Sequence, residues 1–234
     1  MGIYENVKEI REKIAEAAKK SGRRPDEIKL IGVTKTIETD RIKELLAAGV
    51  EDIGENKVQE FLPKYDTLEG SDTRPARWHF IGHLQRNKVK FIADKVDLIH
   101  SVDSLPLAEE INKRAGEAGR KLDVLAEVNI AGETAKYGFA PDSVLSVVEK
   151  LQKMSNIQLT GLMCVAPFVE NPEKNRVYFE KMRSLCVDIQ SSYLYYTTKL
   201  DLSMGMTGDF TVAIEEGATM VRIGTALFGN RATL

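Results

Sequence analysis

Lys35 ends an apolar, partly β-branched run, Ile28-Lys29-Leu30-Ile31-Gly32-Val33-Thr34-Lys35-Thr36. Such a run has the length and composition of a buried strand with a polar mouth. A lysine whose stem lies in an apolar wall can lose its proton more readily and condense with a carbonyl. Alone, Lys35 is not separable from the many lysines that are solvated surface groups. The far end of the chain carries two glycine-rich turns, Ser203-Met204-Gly205-Met206-Thr207-Gly208-Asp209 and Arg222-Ile223-Gly224-Thr225-Ala226-Leu227-Phe228-Gly229. Either could be an ordinary tight turn between a strand and a helix. Together they read as an anion cradle, in which glycines admit backbone N–H groups and the Ser203 and Thr225 hydroxyls add donors. Arg222, just before the second turn, would pair with a carboxylate or face a ring nitrogen of a ligand.

The elements that must position these groups follow from hydrophobic periodicity. Val7, Ile10, Ile14 and Ala17 mark an amphipathic helix over residues 4–21. Arg23-Arg24-Pro25 ends it, and the Lys35 strand follows. Further strands are predicted near 50–54, 78–82, 96–102, 123–129, 158–164, 199–204 and 218–224. Helices are predicted between them, over 39–48, 57–68, 85–93, 106–118, 141–154, 173–191 and 209–216. Thr39 or Asp40 is the expected cap of the second helix, and Gly49 its stop. Eight strands alternating with helices at this period predict an α/β fold, a single (β/α)8 barrel over residues 1–234 with an additional N-terminal helix. An open doubly wound sheet is the runner-up, because a strand count does not establish closure. The chain stops shortly after the eighth strand, so no second domain is expected.

Composition bounds the function. Lys and Arg number 33 against 35 Asp and Glu, which argues against a nucleic-acid- or membrane-binding basic field. Cys164 and Cys186 lie in apolar segments without CxxC spacing and read as reduced thiols. The N-terminus has no apolar leader, and no apolar run approaches a bilayer span, so a cytoplasmic protein is expected. His79 and His83 do not match a metal-binding helix, and three histidines in all argue against a metal site. The cluster Gln85 to Lys90 reads as a solvated face.

Barrels often place a phosphate between the loops after strands seven and eight. A mouth lysine on strand one, that cradle and an arginine on strand eight suit pyridoxal 5′-phosphate (PLP): amine for aldehyde, turns for phosphate, guanidinium for pyridine nitrogen. Asn56, at the mouth of strand two, is placed to meet the ring or its phenolic oxygen. His79, Met163 and Met204 would help line the walls, although methionines at strand ends are often plain core. Lys136 is a possible second basic group at the same mouth.

Seven ordered segments resemble the pyridoxal phosphate homeostasis protein family along nearly the whole chain. They are Val33 to Thr36, Gly54 to Phe61, Trp78 to Lys88, Ser101 to Ser104, Gly161 to Met163, Leu202 to Phe210 and Glu215 to Gly229. The resemblance implies a barrel like the N-terminal domain of alanine racemase, with PLP held covalently as an aldimine on Lys35 and its phosphate on Ser203, Gly224 and Thr225. Thr34 and Thr207 stand where serine is common in the family, and Lys57 where Tyr or Arg is frequent. The lysine, cradle and arginine are intact. The expected function is to hold PLP and to supply or buffer it for apo-enzymes, as a monomer without substantial turnover. A PLP-dependent amino-acid racemase or decarboxylase is the alternative, and an aldolase-like enzyme acting on a phosphosugar through Lys35 is a third.

Overall fold

Val7, Ile10, Ile14 and Ala17 are buried along α1 (Ile3–Lys20), and Ile3 and Ala18 complete the stripe. Their helical spacing gives one continuous apolar face, which packs against helices at the other end of the chain. The computed structural model describes residues 2–69, 75–133, 136–192 and 199–229. Within them, eight parallel strands close into one barrel in chain order. They are β1 (Lys29–Val33), β2 (Asp52–Glu55), β3 (Arg77–Phe80), β4 (Leu98–Val102), β5 (Leu122–Glu127), β6 (Ile157–Met163), β7 (Asp201–Met206) and β8 (Met220–Ile223). Closure comes from β8 pairing with β1, Lys29 opposite Met220 through Gly32 opposite Ile223.

Helices α2 (Thr39–Ala47), α3 (Val58–Glu69), α4 (Leu105–Glu117), α5 (Val144–Gln152), α6 (Arg176–Ser192), α7 (Phe210–Glu215) and α8 (Thr225–Phe228) complete the described chain. Every residue of β2 and β4 is buried, as expected of parallel strands covered on both faces. Ile31, Leu98, Leu125, Met163 and Met220 form an apolar cluster of their own, the packed interior that distinguishes such a barrel from a pore. α1 packs on α7, α8 and α2, and Asn6 Nδ2 donates to Leu227 O at 2.8 Å. The added N-terminal helix therefore braces the short α8 that follows β8.

Three local expectations change. The helix predicted over 85–93 is a 3₁₀ segment, Arg86–Phe91, in which only Val89 is buried. With so little apolar face, tertiary packing does not reward a full α-helix there. α2 begins after Glu38, with no side-chain cap bond, so neither Thr39 nor Asp40 serves as cap. β7 runs two residues further than predicted, to Met206, and the reason bears on the site. Among the described helices none is long and apolar enough to cross a membrane.

Candidate functional site

A cavity of about 260 Å³ opens where β1, β7 and β8 end, and Lys35, Thr207, Gly208, Arg222, Gly224 and Thr225 line it. Pro167, Phe168 and Val169, from the segment after β6, supply an apolar wall. Lys35, Arg222, Gly224 and Thr225, far apart in sequence, thus meet on one surface. The cavity lies at the carboxyl ends of the strands, the end at which barrels carry chemistry. It offers one primary amine, one guanidinium and two small-residue turns, a donor set for a carbonyl-bearing anion.

The backbone on either side of Lys35 is clamped from α3. Lys64 Nζ donates to Thr34 O at 2.7 Å and to Glu55 Oε1 at 2.6 Å. Thr34 Oγ1 donates to the same Glu55 oxygen at 2.6 Å, and Glu55 is fully buried. On the other side, Thr36 N–H donates to Glu60 Oε2 at 2.6 Å. Thr36 has φ 62°, the only positive φ of a non-glycine residue among those described. A β-branched residue avoids that region, so the strain persists only because its surroundings impose it. The turn is held rigidly, and with it the direction in which Lys35 leaves the strand.

A bulge decides what β7 presents. Ser203 pairs with Met220 and Met206 with Arg222, so three steps on β7 face two on β8. Gly205 sits in the bulge at φ 90°, where a Cβ would come within 2.6 Å of Ala213 Cβ. Bulges re-aim side chains beside functional sites. As a result Met206 reaches the cavity, while Met204 is fully buried in the main core rather than on a cavity wall. The predicted wall role of Met204 is corrected accordingly.

Ser203 is also fully buried, and its Oγ accepts from Arg222 Nη1 at 2.6 Å and lies 2.9 Å from His100 Nδ1. Its hydroxyl is engaged inside the barrel, beneath the turn, and is not presented to the cavity as a phosphate donor. His79 is buried too, with Nε2 2.9 Å from Asp52 Oδ1 and Nδ1 2.9 Å from His100 Nε2. It belongs to the barrel interior, not to the cavity wall. Asn56 follows β2 but lines a neighbouring cavity of about 180 Å³ with His83, Gln85 and Lys88. Its buried Oδ1 has no hydrogen-bond partner among the described residues. Lys136 pairs with Glu133 at 2.6 Å and does not line the Lys35 cavity.

Arg222 donates from Nη2 to Cys164 O at 2.8 Å, so two hydrogen bonds fix its guanidinium. Burial lowers its pKa, opposed by Cys164, Glu127 and Asp209, yet a guanidinium stays charged in proteins. Glu127, the last residue of β5, is pushed up to about 7 by burial and by Asp103, against the pull of Arg222. It is a carboxyl that changes charge near neutrality beside the mouth. Glu127, His100, Asp52, Glu55 and Lys64 were not singled out from sequence. Only the alternation Asp123, Leu125, Glu127 along β5 carried a signal, since a charge on an inward-facing register stands out against an apolar one.

The chain is similar to known proteins over nearly its whole length. Residues 5–232 match the family model of the alanine racemase N-terminal domain. The chain is 46% identical over 231 residues to the pyridoxal phosphate homeostasis protein of Aquifex aeolicus (strain VF5), covering 99% of both. It is 38% identical to the protein of that name from Pseudomonas aeruginosa, covering 98% of this chain and 96% of the relative. Among solved structures, PipY of Synechococcus elongatus PCC7942, in its form with PLP bound, superposes with a TM-score of 0.83. That pair is 32% identical and the match covers 97% of this chain and all of PipY. The similarity runs over nearly the whole chain, and the chain belongs to the alanine racemase N-terminal domain family, within its pyridoxal phosphate homeostasis proteins.

Proposed function

We propose that this protein holds PLP in the Lys35 cavity, as one domain and as a monomer, and supplies or buffers it for apo-enzymes in the cytoplasm. The observation that carries this reading is the convergence of Lys35, Arg222 and the turns at Gly208 and Gly224-Thr225 on one cavity. Each group matches one function of the cofactor, and the PLP-bound form of PipY, alike over its whole length, supports the match. When bound, PLP supplies an electrophilic aldehyde and an electron-accepting ring. Lys35 offers the amine that holds it covalently, Arg222 a charged donor for the ring nitrogen, and the turns N–H and hydroxyl donors for phosphate. The two cysteines, free and buried, suit a reducing compartment.

Holding without substantial turnover is the reading favoured over racemisation. A cation fixed beside the pyridine nitrogen opposes its protonation and weakens the ring as an electron sink. That does not by itself forbid racemisation; the second acid or base is the stronger criterion. Two-base racemisation also needs an acid or base on each face of the substrate. Tyr137, in the segment after β5, is exposed, stacks on His83 with ring centroids 3.6 Å apart and does not line the Lys35 cavity. The fold is nevertheless shared with racemases, so turnover is measured directly. The PLP-loaded protein should absorb in the visible range, and borohydride should bleach it and leave the label on Lys35. A label on Lys136 would refute the assignment. Deuterium exchange at the α-carbon of alanine should be no faster than with free PLP. Exchange at the usual enzymic rates of about 1–1000 s⁻¹ would establish the racemase reading instead.

A further inference from the structure

Five side chains from five strands form one hydrogen-bonded chain across the barrel: Asp52, His79, His100, Ser203 and Arg222. The links measure 2.9 Å from Asp52 Oδ1 to His79 Nε2, 2.9 Å from His79 Nδ1 to His100 Nε2, and 2.9 Å from His100 Nδ1 to Ser203 Oγ. Arg222 Nη1 completes it at 2.6 Å from Ser203 Oγ. All five residues are buried. The upper end lines the Lys35 cavity. At the lower end Asp52 also takes a bidentate pair from Arg77, at 2.9 and 2.7 Å, and lies 4.0 Å from Lys29. Asp52 and both of these cations line a second cavity, of about 450 Å³, at the opposite end of the barrel.

With His79 neutral, the two ends dictate the order of the protons. A guanidinium only donates, and an ionised carboxylate only accepts. Burial opposes ionisation of Asp52, but hydrogen bonds from His79 and Arg77 outweigh it and hold the carboxyl well below its ordinary value. Burial above all, with the charges of Arg222 and Lys29 added, keeps His100 neutral. With a donor above, an acceptor below and one proton per link, Ser203 O–H donates to His100 Nδ1. His100 Nε2–H then donates to His79 Nδ1, and His79 Nε2–H to Asp52. The order reverses only if His79 is charged. Then His100 would receive at Nε2 and donate from Nδ1, and Ser203 would accept twice, leaving its own proton without this partner.

We propose that Asp52, His79 and His100 are positioning residues for the cofactor site, acting through Ser203 to orient Arg222 and so coupling the barrel base to the Lys35 cavity. Its binding consequence rests on the PLP reading above; the proton order does not. The chain has histidines only at 79, 83 and 100, so nitrogen-15 NMR of the ligand-free protein near neutral pH reads the order directly. His79 and His100 should each be protonated on Nε2 alone. A proton on His100 Nδ1 would overturn the proposal.

The second arm is a double-mutant cycle on PLP affinity with Asp52→Asn and Ser203→Ala. Asp52→Asn should weaken binding roughly three- to tenfold when Ser203 is present, the effect of losing one directed hydrogen bond. In the Ser203→Ala background it should add nothing. Equal losses in both backgrounds would overturn the coupling. Asp26→Asn, in the same base cavity, should leave affinity unchanged, and a loss equal to that of Asp52→Asn would mean a long-range charge effect and no relay. If a variant does not fold, the proton order in the unmodified protein still decides. Failure of the unmodified protein to bind PLP would sink the function proposed above and leave the NMR result standing.

Discussion

The two ends of the barrel treat charge in opposite ways. At the base, Asp52 is surrounded by Arg77, Lys29 and His79, so its charge is matched where it stands. At the mouth, Lys35 and Arg222 border a cavity, and Glu127 is held near its point of ionisation. Both ends are made of the same parallel strands, so the difference does not come from the fold type. It comes from which side chains each strand brings to its amino and carboxyl ends. The base settles its charges internally and contributes order; the mouth keeps donors directed at a ligand-sized space.

The sharpest break of this comparison is Lys35→Ala. It should abolish the visible band of the PLP-loaded protein while moving the melting temperature by less than about 5 °C. A larger drop would show that Lys35 is itself part of the framework. Next comes Lys64→Met, which removes the cation paired with the buried Glu55 carboxylate and leaves it the Thr34 hydroxyl as its side-chain donor. Removing one partner of a buried pair typically costs about 3–5 kcal/mol, measured here by denaturant unfolding. A cost below about 1 kcal/mol would mean that water reaches Glu55 and that the clamp is loose.

Thr225 and Ser203 separate the cavity from the barrel interior. Thr225→Val should weaken PLP by about 1.5–3 kcal/mol, the worth of a hydrogen bond to a charged group, and spare unphosphorylated pyridoxal. Ser203→Ala should weaken the two ligands alike, since its hydroxyl serves Arg222. Phosphate-selective loss with Ser203→Ala would place that hydroxyl back in the cradle.

The smallest effect is the pH dependence of Glu127. The unfolded chain keeps the ordinary value of 4.5, and the folded protein raises it to about 7. Between those values the folded state binds more protons, so stability falls as pH rises through the window. Glu127→Gln should match the unmodified protein at pH values below the window. Above it, the variant should be more stable by about 1–2 kcal/mol, a figure reduced for partial exposure. Identical pH profiles would show that Glu127 is solvated.

Much of the architecture was legible in sequence because it rests on local, repeated signals. Val7, Ile10, Ile14 and Ala17 trace a buried face by spacing alone, and alternating strands and helices restrict the topology to few solutions. Lys35, Arg222, Gly224 and Thr225, which line one cavity, were singled out in sequence by residue type and position at strand ends. Closure was not, since pairing of β8 with β1 joins the two extremes of the chain. Nor was the bulge at Gly205, a register change that alternation cannot reveal. That one extra residue brings Met206 to the cavity. His79 and His100 looked unrelated in sequence, and only the tertiary structure joined them between Asp52 and Ser203. Local composition thus determined the elements and the reactive groups they carry. Register and closure, which depend on packing between distant segments, decided which of those groups share a space.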